Sequence, residues 1–533
     1  MSEHLEFDYI VVGAGSAGCV LAARLTESGR HSVLLLEAGG EDRHVWIHIP
    51  IGYGKLFVNP RVNWMYESEP EPELGDRRIP QPRGKVLGGS SSINGLVYIR
   101  GQREDFDGWR QQGLTGWSYD DVLPYFRKAE DQERGADEFH GEGGPLAVSD
   151  QRQSHELCDA FIAAADQVGI PRTDDFNGAS QEGAGYYQMT ARHGRRWSTA
   201  RGYLRPARKR PNLRVVTEAL SSRVLFEGRR AVGVEFLQGG EKRTARARRE
   251  VILAAGAFAS PQLLQLSGVG PAWLLRERGI PVVADMPVGE ALQDHLQVRM
   301  VFKCRKACTL NDEVASFGRK LGMGLRYALW RKGSLAVSAG YAGLFFRTDK
   351  RLATPDIQSH FLIFSTDKMG TTLHPWSGFT ASVCQLRPES RGFVRVKSAD
   401  PREAPSIQPN YLKEELDRRT VVAGLHRLRE VMRATPLEPY VAAEAEPGPG
   451  VADDAALLQY ARERGTTIYH PTCTCRMGKD PAAVTDERLR VRGFERLRVV
   501  DGSVMPSVVS GNTNAAIVMI AEKASDMIQQ DAA

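Results

Sequence analysis

The chain has 533 residues, 42% hydrophobic and 25% charged, enough apolar material for a large core spread over about two to four closely joined units. Basic residues number 70 against 65 acidic, a net charge of +5, so no charge excess calls for a nucleic-acid partner. Seven scattered cysteines, a start without a basic n-region, and no apolar run near about 18 residues argue against a disulfide scaffold, a signal peptide and a helical membrane span, and point to the cytoplasm.

The first element is FDYIVV (Phe7 to Val12), a continuous apolar run of the kind buried on both faces of a parallel sheet. It enters GAGSAG (Gly13 to Gly18) and then CVLAARLTES, whose apolar positions recur at helical spacing. A second buried strand, SVLLLEAGG, reaches Glu37. A glycine turn between strand and helix, with an acid closing the next strand, is a dinucleotide-binding βαβ unit. Gly13 serves the tight turn, Gly15 the approach of a pyrophosphate to Ser16 and Ala17, and Gly18 the packing of helix on strand. The helix N-terminus offers free N–H groups to phosphates. Glu37, with Ala38 beside it, is expected at the adenosine ribose and disfavours a 2′-phosphate.

Residues 41–110 are rich in Gly, Pro, Asn and Trp, and are expected to form ordered functional loops around PRGKVLGGSSSINGL (Pro82 to Leu96). From Leu213 to Gly256, LRVVTEALSSRVLF, AVGVEFL and REVILAAGA read as a three-stranded antiparallel meander. The basic run KRTARARRE within it reads as the solvated face of an edge strand. Residues 301 to about 460 carry alternating runs such as DIQSHFLIF and GFTASVCQL, which predict an antiparallel sheet in a second lobe. The stretch ASFGRKLGMGLRYALWRKG (Ala315 to Gly333) places Phe317, Leu321, Leu325 and Leu329 every four residues among basic side chains. It predicts a helix that either packs its apolar stripe near the pocket mouth or lies on a membrane surface. LRVVDGSVMP adds a late strand ending at Asp501 and Gly502, where an acid suits a ribityl hydroxyl, and a final helix runs from about Asn514 to Ile528. The meander and this late strand favour FAD over NAD.

Taken together, GAGSAG, RGKVLGGSSSINGLVYIRG (83–101), GAFASPQLLQLSGVGP (256–271), VGEALQDH (288–295), YHPTCTCRMG (469–478) and VVDGSVMPSVVSGNTNAAIVMIAEKASDMI (499–528) resemble the glucose–methanol–choline (GMC) flavoprotein oxidoreductases. The nearest likeness is to the bacterial alcohol and choline dehydrogenase branch. The fold implied is α/β: a Rossmann-like FAD-binding domain of GMC type with a β-meander, and an α+β substrate domain on an antiparallel sheet. The FAD domain is expected at 1–155, 193–300 and 460–533, the substrate domain at 156–192 and 301–459. As family halves these correspond to about 7–298 and 388–526.

By the same resemblance Leu87, Gly88, Ser92, Asn94, Gly95 and Val97 line the flavin, Val224 contacts the adenine, and the backbone of Asn514 and Ala515 faces the pyrimidine edge. His470 is the expected catalytic base and Asn514 its partner, with Tyr469 a pocket residue. Ile93 stands where some members carry a histidine bonded to FAD, so non-covalent FAD is expected. Ala291 replaces the usual asparagine of VGxNLxDH. Asp294 and His295 are expected to hold the loop rather than react.

The activity implied is oxidation of a primary alcohol to its aldehyde, with proton removal by His470 and hydride transfer to flavin N5. Electrons are expected to pass to a quinone, a carrier protein or another non-oxygen acceptor. Choline dehydrogenase, an O₂-using alcohol oxidase and a hydroxynitrile lyase with idle FAD are the alternatives. A peripheral contact at the inner face of the membrane goes with the quinone reading, and the sequence is silent on oligomeric state. Cys473 and Cys475 lack the spacing and the fourth ligand of a zinc site, and are expected to pack as small hydrophobes.

Overall fold

The computed structural model describes residues 5–368 and 370–532. Two seven-stranded sheets organise the chain. In the first, the strand Leu5–Val12 pairs in parallel with Val33–Leu36 on one side and with Glu241–Leu253 on the other. Its last four residues are buried on both faces, which is why the sequence there is continuous rather than alternating. The helix Ser16–Leu25 crosses between the two strands, and its small Ala, Gly and Cys positions let it lie flat on the sheet. Gly18 is the tightest point. A Cβ there would sit 1.8 Å from the Gly13 carbonyl oxygen.

The meander is present as Ala219–Glu227, Arg230–Gln238 and Glu241–Leu253. Leu213–Val216, read from sequence as part of its first strand, instead pairs in parallel with Val33–Leu36. The 13-residue strand Glu241–Leu253 serves both layouts: its first half closes the meander, and its second half runs beside the first strand. Along the basic run Ala245 and Ala247 turn inward while Lys242, Arg243, Arg246 and Arg248 stay at the surface, as a solvated strand face requires. The late strand Leu497–Val499 pairs with Val251–Leu253, delivering Asp501 to the ends of the parallel strands. The final helix, Asn514–Ala532, packs on Ser16–Leu25. Between them the buried Glu522 accepts from Arg24 at 2.8 Å and from Tyr203 at 2.8 Å.

The second sheet joins Gly183–Tyr186, Ala342–Phe346, Ile357–Leu362, Gly378–Gln385, Leu296–Cys304 and Val441–Glu446 in antiparallel order. Helices Glu156–Gln167 and Glu415–Met432 cover it and complete its own core. The expected boundary at residue 300 cuts through the Leu296–Cys304 strand. That strand leaves the first lobe directly after His295 and is hydrogen-bonded into the second sheet along its whole length.

The basic segment is a helix, Phe317–Trp330, but its apolar stripe does not pack inward. Phe317, Leu321, Leu325 and Leu329 are 83, 54, 52 and 67% exposed. The residue that anchors it is Tyr327, on the opposite face, whose hydroxyl donates to the Gly194 carbonyl at 3.0 Å. The pocket-mouth packing reading is thereby corrected.

Ala291 sits at a register shift in a short strand with φ of +63°, a left-handed backbone that costs an alanine about 1 kcal/mol and that asparagine tolerates. Ala291→Asn should therefore raise unfolding free energy by about 1 kcal/mol. Urea denaturation followed by far-UV dichroism measures this, and an unchanged or lower midpoint would show that the backbone strain is relieved elsewhere.

Candidate active site

Two cavities meet at the carboxyl ends of the parallel strands. The first encloses about 1190 Å³ of empty space, part of it open to solvent. Gly13, Gly15, Ser16, Ala17, Glu37, Ala38, Asp501 and Gly502 all line it. Gly18 does not, since its place is against Gly13. The second cavity encloses about 1000 Å³ and is lined by Asn94, Gly95, Val97, Tyr469, His470 and Asn514 among others. Ser16, Arg83, Ser90, Thr513 and Ile517 line both, so the two are parts of one elongated space.

The first cavity has the chemistry of a dinucleotide site. The helix Ser16–Leu25 opens on Gly15 with no side-chain cap and no acid in its first turn, leaving N–H groups and partial positive charge for a phosphate. A Cβ on Gly15 would meet nothing closer than the Ala254 carbonyl at 3.9 Å, so that backbone is open to a ligand. Glu37 accepts from Ala14 N at 2.9 Å and Gly39 N at 2.8 Å, which fixes it at the end of its strand. Burial raises its carboxyl to about 7 against those two donors. The Ser221 hydroxyl is buried at the same cavity without a partner. An elongated cleft with uncapped N–H groups, an acid and an orphaned hydroxyl fits FAD.

Several residues expected at the cofactor lie behind the cavity lining or are engaged with protein groups. Val224 does not line the cavity. Its N–H donates to Ser267 Oγ at 2.8 Å and its side chain is core, while Ala219, Leu220 and Ser221 form that wall. Leu87, Gly88 and Ser92 build the turn behind the lining residues, with Ser92 Oγ donating to the Leu87 carbonyl at 2.7 Å and Gly88 N to Ala14 O at 2.7 Å. Ala515 is buried in the first turn of the final helix. Asp501 spends its carboxylate on protein: it accepts from Gly256 N at 2.9 Å, Ser260 Oγ at 2.6 Å and Ser503 N at 2.8 Å.

In the second cavity His470 follows Tyr469, whose φ of +75° is uncommon for a bulky residue and typical of a site held under strain. Asp294 holds that loop. It accepts from His470 N at 2.7 Å, from Thr467 Oγ1 at 2.5 Å and from the Tyr411 hydroxyl. His295 acts on the ring. Its Nε2 faces the Leu386 carbonyl at 2.9 Å, and its Nδ1 faces His470 Nδ1 at 3.0 Å. A carbonyl only accepts, so His295 carries its proton on Nε2 and accepts at Nδ1. His470 must then donate from Nδ1, and its Nε2 is unprotonated and can only accept. Burial pushes His295 down to about 4 and His470 well below the usual histidine range, so both rings are neutral at ordinary pH.

The amide that meets His470 Nε2 belongs to Asn512, with Nδ2 at 3.1 Å. Asn514 is two residues further on, inside the helix, and its Oδ1 accepts from Ser16 Oγ at 2.7 Å. The expected His470–Asn514 pair is therefore corrected to His470–Asn512. The signal was present as the doubled asparagine of GNTNAA, and the position of the helix start decides between the two. Sequence reading also missed Arg196, which is fully buried and braces Asn94: Nη1 donates to Asn94 Oδ1 and Nη2 to Asn94 O, each at 2.6 Å. Cys473 and Cys475 are buried in the first core, with their thiols pushed up by burial.

Family models described as GMC oxidoreductase match residues 7–297 and 388–521. The oxygen-dependent choline dehydrogenase of Serratia proteamaculans is 47% identical over 99% of this chain and 96% of its own length. The mitochondrial choline dehydrogenase of Mus musculus is 46% identical over 98% of this chain and 89% of its own. Among solved structures, pyridoxine 4-oxidase from Mesorbium loti superposes with a TM-score of 0.89 at 30% identity, covering 98% of this chain and 99% of that one.

The buried neutral histidines carry a pH signature. Unfolded histidines take up protons below about pH 6.5, whereas folded His360, on the cavity wall, is held down to about 3 by burial. The unfolded state then binds more protons, so stability falls as pH drops from 6.5 toward 3 by about 1.4 kcal/mol per pH unit for that residue. His360→Phe should flatten the slope between pH 6.5 and 4 by that amount in urea titrations of the FAD-loaded protein. An unchanged slope would mean that His360 is protonated in the folded state.

Proposed function

The chain belongs to the GMC oxidoreductase family and is an FAD-dependent oxidoreductase acting on CH–OH donors, and on that footing we propose that it oxidises a primary alcohol to its aldehyde, with His470 as base. The observation that carries this is the orientation of His470, whose lone pair at Nε2 is set by His295 and faces the cavity beside Asn512. Without substrate that lone pair accepts from Asn512 Nδ2 at 3.1 Å; when an alcohol binds, the Asn512 amide exchanges this contact for one to the alcohol oxygen, and the neutral imidazole takes the hydroxyl proton. FAD, when bound, supplies the acceptor for the hydride that leaves the carbinol carbon. Ile93, buried at the cavity, offers no atom for a covalent bond to the cofactor, which supports non-covalent binding.

His470→Ala should retain FAD while alcohol-driven flavin bleaching slows by roughly 10²-fold or more. Asn512→Ala should cost about tenfold, and Asn514→Ala less than that. Anaerobic stopped-flow absorbance measures all three. Bleaching at the wild-type rate in the His470 variant, or a larger loss at Asn514 than at Asn512, would overturn these roles.

Choline is the substrate in the names of the relatives, and it is the second reading. A quaternary ammonium wants an aromatic cage and a carboxylate. Phe57 and Tyr469 meet edge to face at 5.0 Å in the second cavity, but its lining holds no Asp or Glu.

For the acceptor we infer a membrane quinone. What supports this is the Phe317–Trp330 helix, with its apolar stripe in solvent and Arg319, Lys320, Arg326, Arg331 and Lys332 around it, the composition of a helix lying on an anionic bilayer. Among the described residues no helix is long and apolar enough to cross a membrane. Vesicles containing anionic lipid should co-sediment the protein, and a Phe317→Ser/Leu321→Ser/Leu325→Ser variant should stay in the supernatant. Equal sedimentation of both, or stoichiometric hydrogen peroxide with alcohol in air, would favour an O₂-using enzyme instead.

A further inference from the structure

The second cavity also carries a charge that the reaction does not use. Arg299 projects from the Leu296–Cys304 strand and lines the wall. Its Nε donates to Gln297 Oε1 at 3.2 Å, and its charge acts on Tyr53, Tyr469 and His360, all members of the same lining. Among the described residues it has no carboxylate partner. Gln297 offers only a neutral amide oxygen, its amide nitrogen donating to Ser382 Oγ at 2.8 Å. Tyr53 adds a second, independent sign: its side chain is 1% exposed, and its hydroxyl is buried with no hydrogen-bond partner. Native interiors rarely leave such a hydroxyl unsatisfied. A guanidinium without a counter-ion and a free O–H donor at one cavity are two halves of an anion site.

The rest of the wall sets the form of the ligand. Phe57, Ile93, Leu96, Leu362 and Ile468 give an apolar passage within the same cavity as His470. Arg299, Phe57, Pro82 and Tyr469 also line an adjoining cavity, whose Glu67, Asp367, Glu446 and Glu463 make no ion pair with Arg299, which puts the guanidinium at the neck between the two. A substrate with its hydroxyl at His470 and its body along the apolar wall thus presents its far end to Arg299.

We propose that the alcohol this enzyme takes carries a carboxylate at the end remote from its hydroxyl, held by Arg299 and the Tyr53 hydroxyl, so that ω-hydroxy carboxylates are preferred and choline is disfavoured. This rests on the alcohol-oxidising role given above. The same guanidinium that grips a carboxylate repels a trimethylammonium, and Lys or Gln in its place would lack the two-pronged donor set.

The test compares ω-hydroxyhexanoate, hexanol and choline with the FAD-loaded enzyme and an artificial dye acceptor. The expected kcat/KM for the hydroxy acid exceeds that of hexanol by tenfold or more, with choline last. In Arg299→Gln the acid-to-hexanol ratio should collapse toward one, and in Arg299→Glu it should invert. Choline ranked above hexanol in the wild type, or a ratio unmoved by Arg299→Gln, would overturn the proposal. Calorimetric titration with hexanoate, which has no hydroxyl to oxidise, separates this inference from the catalytic reading. Binding that weakens at least tenfold in Arg299→Gln supports the anion site even where no alcohol bleaches the flavin. Equal binding in both proteins sinks it while leaving alcohol oxidation standing.

Discussion

The contact between His470 Nδ1 and His295 Nδ1 fixes the chemistry of the second cavity. Two neutral imidazoles can meet through these nitrogens only if one donates and the other accepts, and the Leu386 carbonyl on the far side of His295 settles which. The consequence is transmitted through a ring that need not touch substrate. His295 is a positioning residue: it keeps the His470 lone pair at Nε2 and keeps the imidazole from turning over. Asp294 then contributes through the backbone, since its bond to His470 N holds the left-handed turn at Tyr469 in place. Neither of the pair has a carboxylate on its ring, so a proton placed on His470 would be stabilised by dipoles rather than by a counter-ion. Burial depresses the proton affinity of His470, which leaves the ring neutral and its Nε2 able to accept.

The first lobe was legible because its constraints are local. Gly13 and Gly18 must lack side chains for a helix to lie on the adjoining turn, and Glu37 must end its strand. Such requirements leave a fixed spacing in the chain. What was not legible depends on phase and on distant packing. Asn512 and Asn514 differ by two residues in one loop, and only the onset of the helix at Asn514 decides that one faces His470 and the other Ser16. Val224 and Ser221 lie three residues apart on the same strand, and of the two only Ser221 lines the cavity. The Phe317–Trp330 helix was legible as a helix, but burial of its stripe depended on a neighbour that the fold does not provide. Arg196 left no sequence signal, since its partners are main-chain carbonyls and Asn94 from a loop far earlier in the chain.

The continuity of the two cavities places unlike demands on the residues they share. Ser16 opens the phosphate-facing helix and also receives Asn514 from the final helix. Arg83 reaches across with Nη2 on the Tyr469 carbonyl at 2.7 Å, tying the PRGKVLGG loop to the strained turn that bears His470. A displacement of the cofactor-side loop would therefore shift the base directly, with no intervening flexible segment. This is how a site built from residues 16, 83, 295, 470 and 512 can hold a geometry in which small errors of placement are costly.

Likeness across the whole chain and likeness of the substrate are separable quantities, and the second cavity is where they part. The glycine turn, the paired histidines and the late strand answer to the cofactor and to proton removal, which are common to many alcohols. The neck formed by Phe57, Tyr469 and Arg299 answers only to the far end of the substrate. Aromatic faces there would suit a quaternary ammonium, and on their own would agree with the names of the relatives. The proposed role of Arg299 would reverse that preference, because a like charge on the inner wall would outweigh the modest attraction of a ring face. On the proposal that Arg299 holds a carboxylate, specificity would be set less by what attracts the substrate than by which charge the neck refuses.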